Sequence, residues 1–265
     1  MNATTYDPKQ IDLNSAQTDG ALKDAVIVIT GAGDGIGRAA ALDFARAGAH
    51  LVLIGRTQSK LEAVYDEIEA ISSTQPILLP FDLNELSIDN AQDIAVAIER
   101  EFGRLDGLLL NASVLGSKMS IAQYPANQWQ EVMQVNLNSA FYLTQGLLPL
   151  MQHSENGRII FTTSSVGRRG RAYWGAYAVS KFATEGLMQT LAEELENTSR
   201  IRTHCINPGG TRSNMRALAY PAEDPTKLPL PADHMPFYRY LMSAYSQAYN
   251  GISWDARDFL PDVNS

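Results

Sequence analysis

The chain has 265 residues, of which 45% are hydrophobic and 19% charged, and this is enough apolar material for one globular domain. Its 29 acidic and 21 basic residues give a formal net charge of −8, which argues against nucleic acid as a partner. The sequence contains no run of 18 apolar residues, so we expect no membrane span. The first residues are neither basic nor apolar, so we expect no secretory signal.

The chain alternates between short apolar runs and stretches of helical periodicity after a polar start. Residues 1–23 lack periodicity and predict a flexible or loosely docked N-terminal extension, followed by one domain at 24–265. The predicted strands are Ala25–Thr30, Leu51–Ile54, Ile77–Phe81, Leu105–Leu110, Arg158–Thr163 and Ile201–Ile206, and the run Gly251–Trp254 is expected to close the sheet edge. The predicted helices are Ile36–Ala47, Ser59–Ile71, Asp89–Glu101, Trp129–Met151, Ala176–Glu196 and Pro236–Tyr249.

Several of these strands are apolar on successive residues, which is typical of strands that are buried on both faces. Their alternation with helices predicts an α/β fold. We expect a single doubly wound Rossmann-type domain, with a mostly parallel sheet of six to seven strands and helices on both faces. Prolines are dense between Pro221 and Pro236, so residues 211–247 are predicted to form a substrate loop or lid and terminal helices.

A glycine-rich turn, Thr30-Gly-Ala-Gly-Asp-Gly-Ile-Gly37, joins the first predicted strand to the first helix. Glycines allow the backbone to approach a pyrophosphate, and a helix N-terminus offers free amides and a positive dipole end. The strict G-x-G-x-x-G spacing is not met, because Ile36 stands where the last glycine would be. The position of the turn, at the first βα junction, still predicts a nucleotide site.

The second predicted strand ends in Leu53-Ile-Gly-Arg56, without the acidic residue that usually accepts from the ribose 2′-hydroxyl of NAD. Arg56 could pair with a 2′-phosphate instead, so NADP(H) is the preferred cofactor and NAD(H) the alternative. A solvated arginine at the start of the next helix would explain the same residue without a cofactor.

Tyr177 and Lys181 are four residues apart in a predicted helix, so their side chains leave the same face. A phenol has an ordinary pKa of about 10, and a nearby ammonium favours its ionised form. Such a pair can lower the pKa of the phenol towards the operating pH of an enzyme. The same spacing also arises by chance in surface helices, so it identifies no site alone.

Over about Asp24–Trp254 the chain resembles the short-chain dehydrogenase/reductase family. The turn at 30–37 resembles its cofactor loop, Asp82-Leu83 its adenine-contacting pair, and Asn207-Pro-Gly-Gly-Thr211 the segment framing the nicotinamide. Leu110-Asn111-Ala112 resembles its Asn-Ala-Gly segment, although Ser113 stands where the family usually has glycine. Residues 164–177 and 207–216 look most like the bacterial YciK-type oxidoreductases of this family.

Four residues match the catalytic tetrad of the family in order and spacing, with 13 residues from Ser164 to Tyr177 and 41 from Asn136 to Tyr177. The resemblance implies hydride transfer between a nicotinamide and a carbonyl or secondary alcohol, with Tyr177 as general acid and base. Lys181 would lower the pKa of Tyr177 and hold the nicotinamide ribose. Ser164 would polarise the carbonyl, and Asn136 would order a water.

The resemblance also implies which residues hold the two ligands. The cofactor-binding residues are Thr30, Gly31, Gly33, Asp34, Gly35, Ile36, Gly37, Arg56, Asp82, Leu83, Asn111, Ala112, Tyr177, Lys181, Pro208, Gly209, Gly210 and Thr211. The substrate-binding residues are Ser164, Trp174, Tyr177 and Met215. Thr163 and Ser165 flank Ser164, but successive side chains at a strand end face opposite ways, and the family spacing selects Ser164.

Three arginines, Arg168, Arg169 and Arg171, precede Tyr177 and could attract an anionic substrate. A solvated or subunit-contacting loop also explains the three arginines, and we favour that interpretation. The predicted helices Trp129–Met151 and Ala176–Glu196 resemble those through which family members pair, so we expect a homodimer or homotetramer.

Two further functions remain open: an NAD(H)-preferring dehydrogenase of the same family, and a non-catalytic regulator that binds a dinucleotide. A regulator would not need the complete tetrad. A nucleotide-sugar epimerase would need a larger C-terminal domain.

The single cysteine, Cys205, allows no internal disulfide and fits a reducing, cytoplasmic compartment. No metal site is predicted, because ligand-like spacing is missing among His50, His153, His204 and His234.

Overall fold

The structure, a computed structural model, describes residues 6–16 and 20–260. Its strands are β1 (Val26–Thr30), β2 (His50–Gly55), β3 (Ile77–Pro80), β4 (Gly107–Leu110), β5 (Arg158–Thr162), β6 (Arg202–Asn207) and β7 (Ile252–Asp255). Within the described ranges these strands form one sheet in the order β3-β2-β1-β4-β5-β6-β7, and neighbouring strands all pair in parallel. The predicted doubly wound Rossmann-type fold is therefore confirmed.

The helices are α1 (Gly35–Arg46), α2 (Gln58–Glu69), α3 (Ile88–Phe102), α4 (Ala126–Met133), α5 (Ser139–Met151), α6 (Gly175–Leu195), α7 (Asn214–Ala219) and α8 (Met235–Met242). The predicted helix Trp129–Met151 starts earlier and contains a π-helical turn at Gln134–Asn138, which separates α4 from α5. The predicted last helix ends early, at Met242. In the part of the chain that the structure describes, no helix is both long and apolar enough to cross a membrane.

Successive residues of the central strands point into two different cores. Ile27 and Ile29 of β1 pack on the side of α1 and α8, where Phe44 and Tyr238 are completely buried. Val26 and Val28 face the opposite core, which contains Leu143 of α5. This double burial explains why the strands read as continuous apolar runs.

Part of the predicted flexible extension is packed against the domain. Ile11 and Ala16 are buried, and the Tyr6 ring lies 4.3 Å from the ring of Trp254. The Tyr6 hydroxyl also donates to a carboxylate oxygen of Asp258 at 2.9 Å. Residues 6–16 are thus docked on the domain, because widely spaced apolar side chains bury there without any periodicity. Residues 1–5 and 17–19 of that extension lie outside the described residues.

The strand order reverses between β1 and β4, the two neighbours at the middle of the sheet. In open parallel sheets a crevice forms at this point, outside the carboxyl ends of the strands. The glycine-rich turn after β1 and the segment after β4 therefore begin at the same place.

Candidate active site

A cavity of about 810 Å³ opens at the carboxyl ends of the strands. Most of the predicted cofactor, substrate and catalytic residues line it: Gly31, Gly33, Asp34, Gly35, Ile36, Arg56, Asp82, Leu83, Asn111, Ala112, Ser164, Trp174, Tyr177, Lys181, Pro208, Gly209, Thr211 and Met215. The predicted residues that do not line it are Thr30, Gly37, Asn136 and Gly210. The sheet thus brings residues from distant parts of the sequence to one cavity.

Thr30 and Asn111 fasten the ends of three neighbouring strands below the cavity. Thr30 Oγ1 accepts from the backbone amides of Asn111 and Ala112, both at 3.0 Å. Asn111 Nδ2 donates to the Thr30 carbonyl at 3.3 Å, and its Oδ1 accepts from the Thr162 hydroxyl at 3.2 Å. Thr30 therefore shapes the floor of the site instead of facing the cavity.

The glycine-rich turn has room only for glycine at its critical positions. Gly31 and Gly35 have φ angles of +66° and +54°, which L-residues with side chains rarely adopt. A Cβ on Gly37 would lie 2.1 Å from the Gly31 carbonyl oxygen. The turn and the N-terminus of α1 together form a cradle with bare backbone, which suits a phosphate-bearing ligand.

Asp34 connects this cradle to two other elements that border the cavity. Its Oδ1 accepts from the Gly35 amide at 2.7 Å, while Oδ2 accepts from Lys60 Nζ at 2.7 Å and from Asn214 Nδ2 at 2.8 Å. These bonds, that with Lys60 foremost, lower the pKa of Asp34. Sequence reasoning missed Lys60 and Asn214, because their link to Asp34 spans large sequence separations and leaves no local pattern.

Arg56 stands at the end of β2, on the wall of the cavity next to Gly55. Its side chain is exposed, and no hydrogen bond or ion pair joins it to another described residue. Arg56 is thus a free cation at the cavity end that adjoins β2.

Asn136 lies buried in the π-helical turn between α4 and α5. Its Oδ1 accepts from the Val114 amide at 2.8 Å, and its Nδ2 donates to the Val114 carbonyl at 3.0 Å and to Ser180 Oγ at 3.1 Å. The side chain ties the segment after β4 to α6. Both of its donor hydrogens are occupied by protein acceptors, so the side chain positions backbone here and does not itself face the cavity.

Ser164, Tyr177 and Lys181 meet on one wall of the cavity, at the junction of β5 and α6. Tyr177 is 7% exposed, and a hydrogen bond with the Ser164 hydroxyl acts to lower its pKa. Lys181 Nζ donates to the Thr162 carbonyl at 2.7 Å and lies 5.6 Å from the Tyr177 ring centroid. The dyad spacing therefore does place the two side chains together.

The pKa values of this pair differ from the sequence expectation. Burial raises the pKa of Tyr177 to about 12, despite the opposing hydrogen bond from Ser164. Burial also lowers the pKa of Lys181 to about 8. The predicted lowering of the Tyr177 pKa is therefore not found in this structure, because desolvation outweighs the groups that favour the phenolate.

The choice of Ser164 over its neighbours agrees only in part with alternation along the strand end. Ser165 is exposed and does not line the cavity, whereas Thr163 lines it as Ser164 does. Ser164 differs from Thr163 in that its side chain acts to lower the pKa of Tyr177.

The loop arginines are placed away from the cavity. Arg168 donates from Nη1 to Asp255 Oδ2 at 2.6 Å and from Nη2 to Ser253 Oγ at 2.7 Å, and so binds the loop to β7. Arg169 and Arg171 are exposed and do not line the cavity either. The structure thus favours the interpretation that this loop has no part in attracting substrate.

At the other end of the cavity, apolar side chains surround Tyr177. Leu115, Trp174 and Met215 pack against it, and the Trp174 ring centroid lies 5.8 Å from that of Tyr177. Helix α7 covers this end and lies within residues 211–247, for which the sequence predicted a substrate loop or lid and terminal helices. Ser213 Oγ caps α7 by accepting from the Arg216 amide at 3.2 Å, and this Ser-x-x-Arg start is a signal that could have been found.

The single cysteine and the histidines take no part in this cavity. Cys205 is buried in β6, and His204 Nδ1 accepts from Trp254 Nε1 at 3.2 Å in the core. Among residues 6–16 and 20–260, no group of three or more His, Cys, Asp or Glu side chains could hold a metal ion.

Comparisons with known proteins agree with this geometry. The family model for short chain dehydrogenases matches residues 25–224. An uncharacterized oxidoreductase of Escherichia coli K12, YciK, is 49% identical over 252 residues, which cover 95% of this chain and 96% of that protein. A short chain dehydrogenase of Shigella flexneri complexed with NADP has a TM-score of 0.88 at 49% identity, over 91% of this chain and 100% of that one.

An Escherichia coli CFT073 short chain dehydrogenase complexed with NADPH also has a TM-score of 0.88, at 49% identity over 91% of this chain and 99% of that one. The family match covers well over half of the chain, and the fold, the cradle and the Ser-Tyr-Lys wall all fit it. This chain therefore belongs to the short-chain dehydrogenase family of oxidoreductases.

Proposed function

We propose that the protein is an NADP(H)-dependent oxidoreductase that transfers a hydride between the nicotinamide and a carbonyl or secondary alcohol, with Tyr177 as general acid and base. One observation carries the proposal: Ser164, Tyr177 and Lys181 lie on one cavity wall, with the Lys181 ammonium 5.6 Å from the Tyr177 ring centroid, and that cavity continues into the glycine cradle. Because Cys205 is the single cysteine, it forms no internal disulfide and suits a reducing compartment, so we propose that the protein is cytoplasmic.

The residues of the cradle fit a dinucleotide. Gly31, Gly35 and Gly37 leave bare backbone for the pyrophosphate, and Arg56 is free to pair with a 2′-phosphate. Asp34 is occupied by Lys60 and Asn214, so its carboxylate is not available to a ribose 2′-hydroxyl. Two relatives of 49% identity complexed with NADP and NADPH further support NADP(H) over NAD(H).

When bound, the nicotinamide supplies or accepts the hydride. The Ser164 hydroxyl donates to the carbonyl oxygen of the substrate, where negative charge grows in the transition state. Tyr177 gives its phenolic proton to that oxygen in reduction and takes it back in oxidation. A pKa of about 12 keeps the phenol protonated at neutral pH, which is the form that donates. A simple alkoxide is more basic than a phenolate, so the transfer runs downhill.

Lys181 has two tasks in this scheme. Its bond to the Thr162 carbonyl fixes the ammonium beside the Tyr177 ring. The positive charge then stabilises the phenolate that remains after Tyr177 has given up its proton. With a pKa of about 8, Lys181 carries that charge at neutral pH and loses it in mildly alkaline solution.

The experiment is a screen of NADPH oxidation with ketones, aldehydes, quinones and β-ketoacyl thioesters, with Tyr177→Phe as the blank. We expect at least one carbonyl class to be reduced by the native enzyme and not by the variant, while both bind NADPH with similar affinity by fluorescence titration. NADPH binding without turnover of any carbonyl would instead favour the dinucleotide-binding regulator. A higher kcat/KM with NADH would favour the NAD(H)-preferring dehydrogenase.

We further propose that the protein pairs with a second copy of itself. Helix α5 exposes Phe141, and α6 exposes Val179 and Phe182, each at 41% or more. Large apolar side chains so exposed commonly mark a contact surface. Burial of this surface against the same surface of another copy would remove it from water.

A further inference from the structure

The end of the cavity lined by Leu115, Trp174 and Met215, called the substrate end here, also has a cation that the sequence did not single out. Lys118 follows β4 and lines the cavity, and its Nζ donates to the Ala219 carbonyl of α7 at 2.7 Å. The ammonium lies 4.8 Å from the Trp174 ring centroid and 4.7 Å from that of Tyr220. The Trp174 ring centroid also lies 5.8 Å from that of Tyr177, so the indole contacts both the Lys118 ammonium and the proposed proton donor.

The other cations on the cavity wall near α7 are already paired. Lys60 binds Asp34, and Arg216 binds both carboxylate oxygens of Glu223 at 2.5 and 2.6 Å. Lys118 has no carboxylate partner in the described part of the chain. It therefore presents an uncompensated positive charge at the mouth of the substrate end.

The acidic residues are distributed in the opposite way. Within the described ranges, the acidic residues that line the cavity are Asp34 and Asp82. Asp34 belongs to the glycine cradle, and Asp82 follows the end of β3. The substrate end thus carries positive charge in a protein whose formal net charge is −8. Such a local field raises the concentration of small anions at the cavity mouth.

The walls between Lys118 and Tyr177 are apolar. Leu115, Trp174 and Met215 line this part of the cavity, and Leu218 of α7 lines it from above. A group bound here must therefore be apolar along its length. Only its far end meets a charge.

We propose that the substrate is a carbonyl compound with an apolar body and a carboxylate, and that Lys118 pairs with that carboxylate while the carbonyl oxygen lies at Ser164 and Tyr177. This inference rests on the proposed function, because it names the substrate class of the same cavity. The ammonium has three N–H donors, and the Ala219 carbonyl uses one of them. The faces of the two aromatic rings stabilise the positive charge, and the remaining N–H donors of Lys118 can bind a carboxylate of the substrate.

The test compares keto acids with their methyl esters. The probes are straight-chain methyl ketones with a terminal carboxylate, in a ladder of chain lengths, and the methyl ester of each. For the chain length that fits, kcat/KM of the acid should exceed that of its ester, and added salt should reduce the difference. Lys118→Met should bring this acid-to-ester ratio down about five- to tenfold, as expected for loss of one charge-assisted hydrogen bond at a partly exposed site.

Two control variants make the test specific to the ammonium of Lys118. Lys118→Arg keeps a cation at this position and should preserve most of the acid preference. Lys23→Met removes one exposed cation before β1, at the amino-terminal end of the strands and so away from the cavity, and should leave the ratio unchanged. The melting temperature of each variant reports whether the lid contact with Ala219 also matters for folding.

Four outcomes would overturn the inference. An acid preference that is the same in Lys118→Met and in the native enzyme would exclude a role for this ammonium. An equal loss on acids and esters would mean that Lys118 only fastens α7 to the segment after β4. Reduction of esters without any preference for acids would refute the carboxylate while leaving the oxidoreductase proposal standing. If neither series nor any carbonyl in the screen is reduced, both proposals fail.

Discussion

Lys181 donates from Nζ to the Thr162 carbonyl at 2.7 Å, and this bond holds the ammonium 5.6 Å from the centroid of the Tyr177 ring. The last carbonyl of β5 thus fixes a side chain of α6 in a place where water is excluded. Burial of both groups makes each prefer its neutral form, and this preference has consequences that can be measured.

The first prediction concerns the pH dependence of stability. Lys181 has a folded-state pKa of about 8 against 10.5 for an ordinary lysine, so between these values the unfolded chain binds a proton that the folded chain does not. The free energy of unfolding should therefore rise with pH across this window through Lys181. In Lys181→Met that contribution is lost, so the stability of the native protein relative to the variant should increase from pH 7.5 to pH 9.5.

Urea unfolding at the two pH values measures this difference. A gap between native protein and variant that does not change with pH would show that Lys181 is not buried in its neutral form. Tyr177 does not confuse the comparison, because it is present in both proteins and its pKa of about 12 lies above the window.

Ser164→Ala should reduce turnover about a hundredfold, as does the loss of one donor to a developing oxyanion. The affinity for NADPH should change little, because Ser164 follows β5 and is not part of the glycine cradle at the start of α1. Steady-state kinetics with the carbonyl found in the screen and a fluorescence titration give the two values. Ser165→Ala is the matched control, since Ser165 is exposed outside the cavity. Turnover equal to that of the native enzyme would remove Ser164 from the mechanism.

Arg56→Ala should lower kcat/KM for NADPH about ten- to a hundredfold, which is the usual effect of losing a charge-assisted bond to phosphate. The value for NADH should stay nearly constant, because its ribose has no phosphate to pair. Arg169→Ala removes an exposed arginine outside the cavity and serves as the control. If both cofactors were affected equally, Arg56 would have a general structural role.

Gly37→Ala should destabilise the fold by about 1–3 kcal/mol and impair NADPH binding, because the new Cβ would lie 2.1 Å from the Gly31 carbonyl oxygen. Gly186→Ala offers a matched control within α6, where a Cβ meets nothing within 4 Å. There the substitution should stabilise the helix by about 0.5–1 kcal/mol. Chemical unfolding of both variants checks the pair. A Gly37 variant as stable as the native protein would contradict the close packing of turn and helix.

Phe182→Asp should shift the protein towards the monomer, because it places a charge in the proposed apolar contact of α6. Val96→Asp changes an exposed residue of α3, at 63% exposure, and should leave the assembly as it is. Light scattering after gel filtration gives the molar mass of each. A native protein that is already monomeric would refute the proposed pairing.

Most of the fold could be predicted from local patterns. The apolar runs of β1, β2, β4, β5 and β6 are continuous because these strands are covered on both faces. The spacing of apolar residues in α1, α2 and α3 follows one helix face. The π-helical turn at Gln134–Asn138 was not foreseen, since its residues have the same periodicity as the helices on either side.

The site was predictable where its chemistry depends on spacing along one element. Gly31, Gly35 and Gly37 lie in one turn, and Tyr177 and Lys181 in one helix, so their neighbourhood follows from helix and turn geometry. The position of Arg168 was not predictable, because its partner Asp255 is 87 residues away and only the sheet brings the two together.

By itself, the sequence determined the doubly wound class, the phosphate cradle and the order of the Ser, Tyr and Lys residues, because each of these depends on short-range geometry or on hydrophobic periodicity. Only the tertiary structure decided the direction of the pKa changes at Tyr177 and Lys181, because burial depends on what packs around them. It also decided that Lys118, and not the arginine loop, faces the substrate end. A charge can act on a ligand only where the fold leaves it unpaired beside an open cavity, and no local pattern records that.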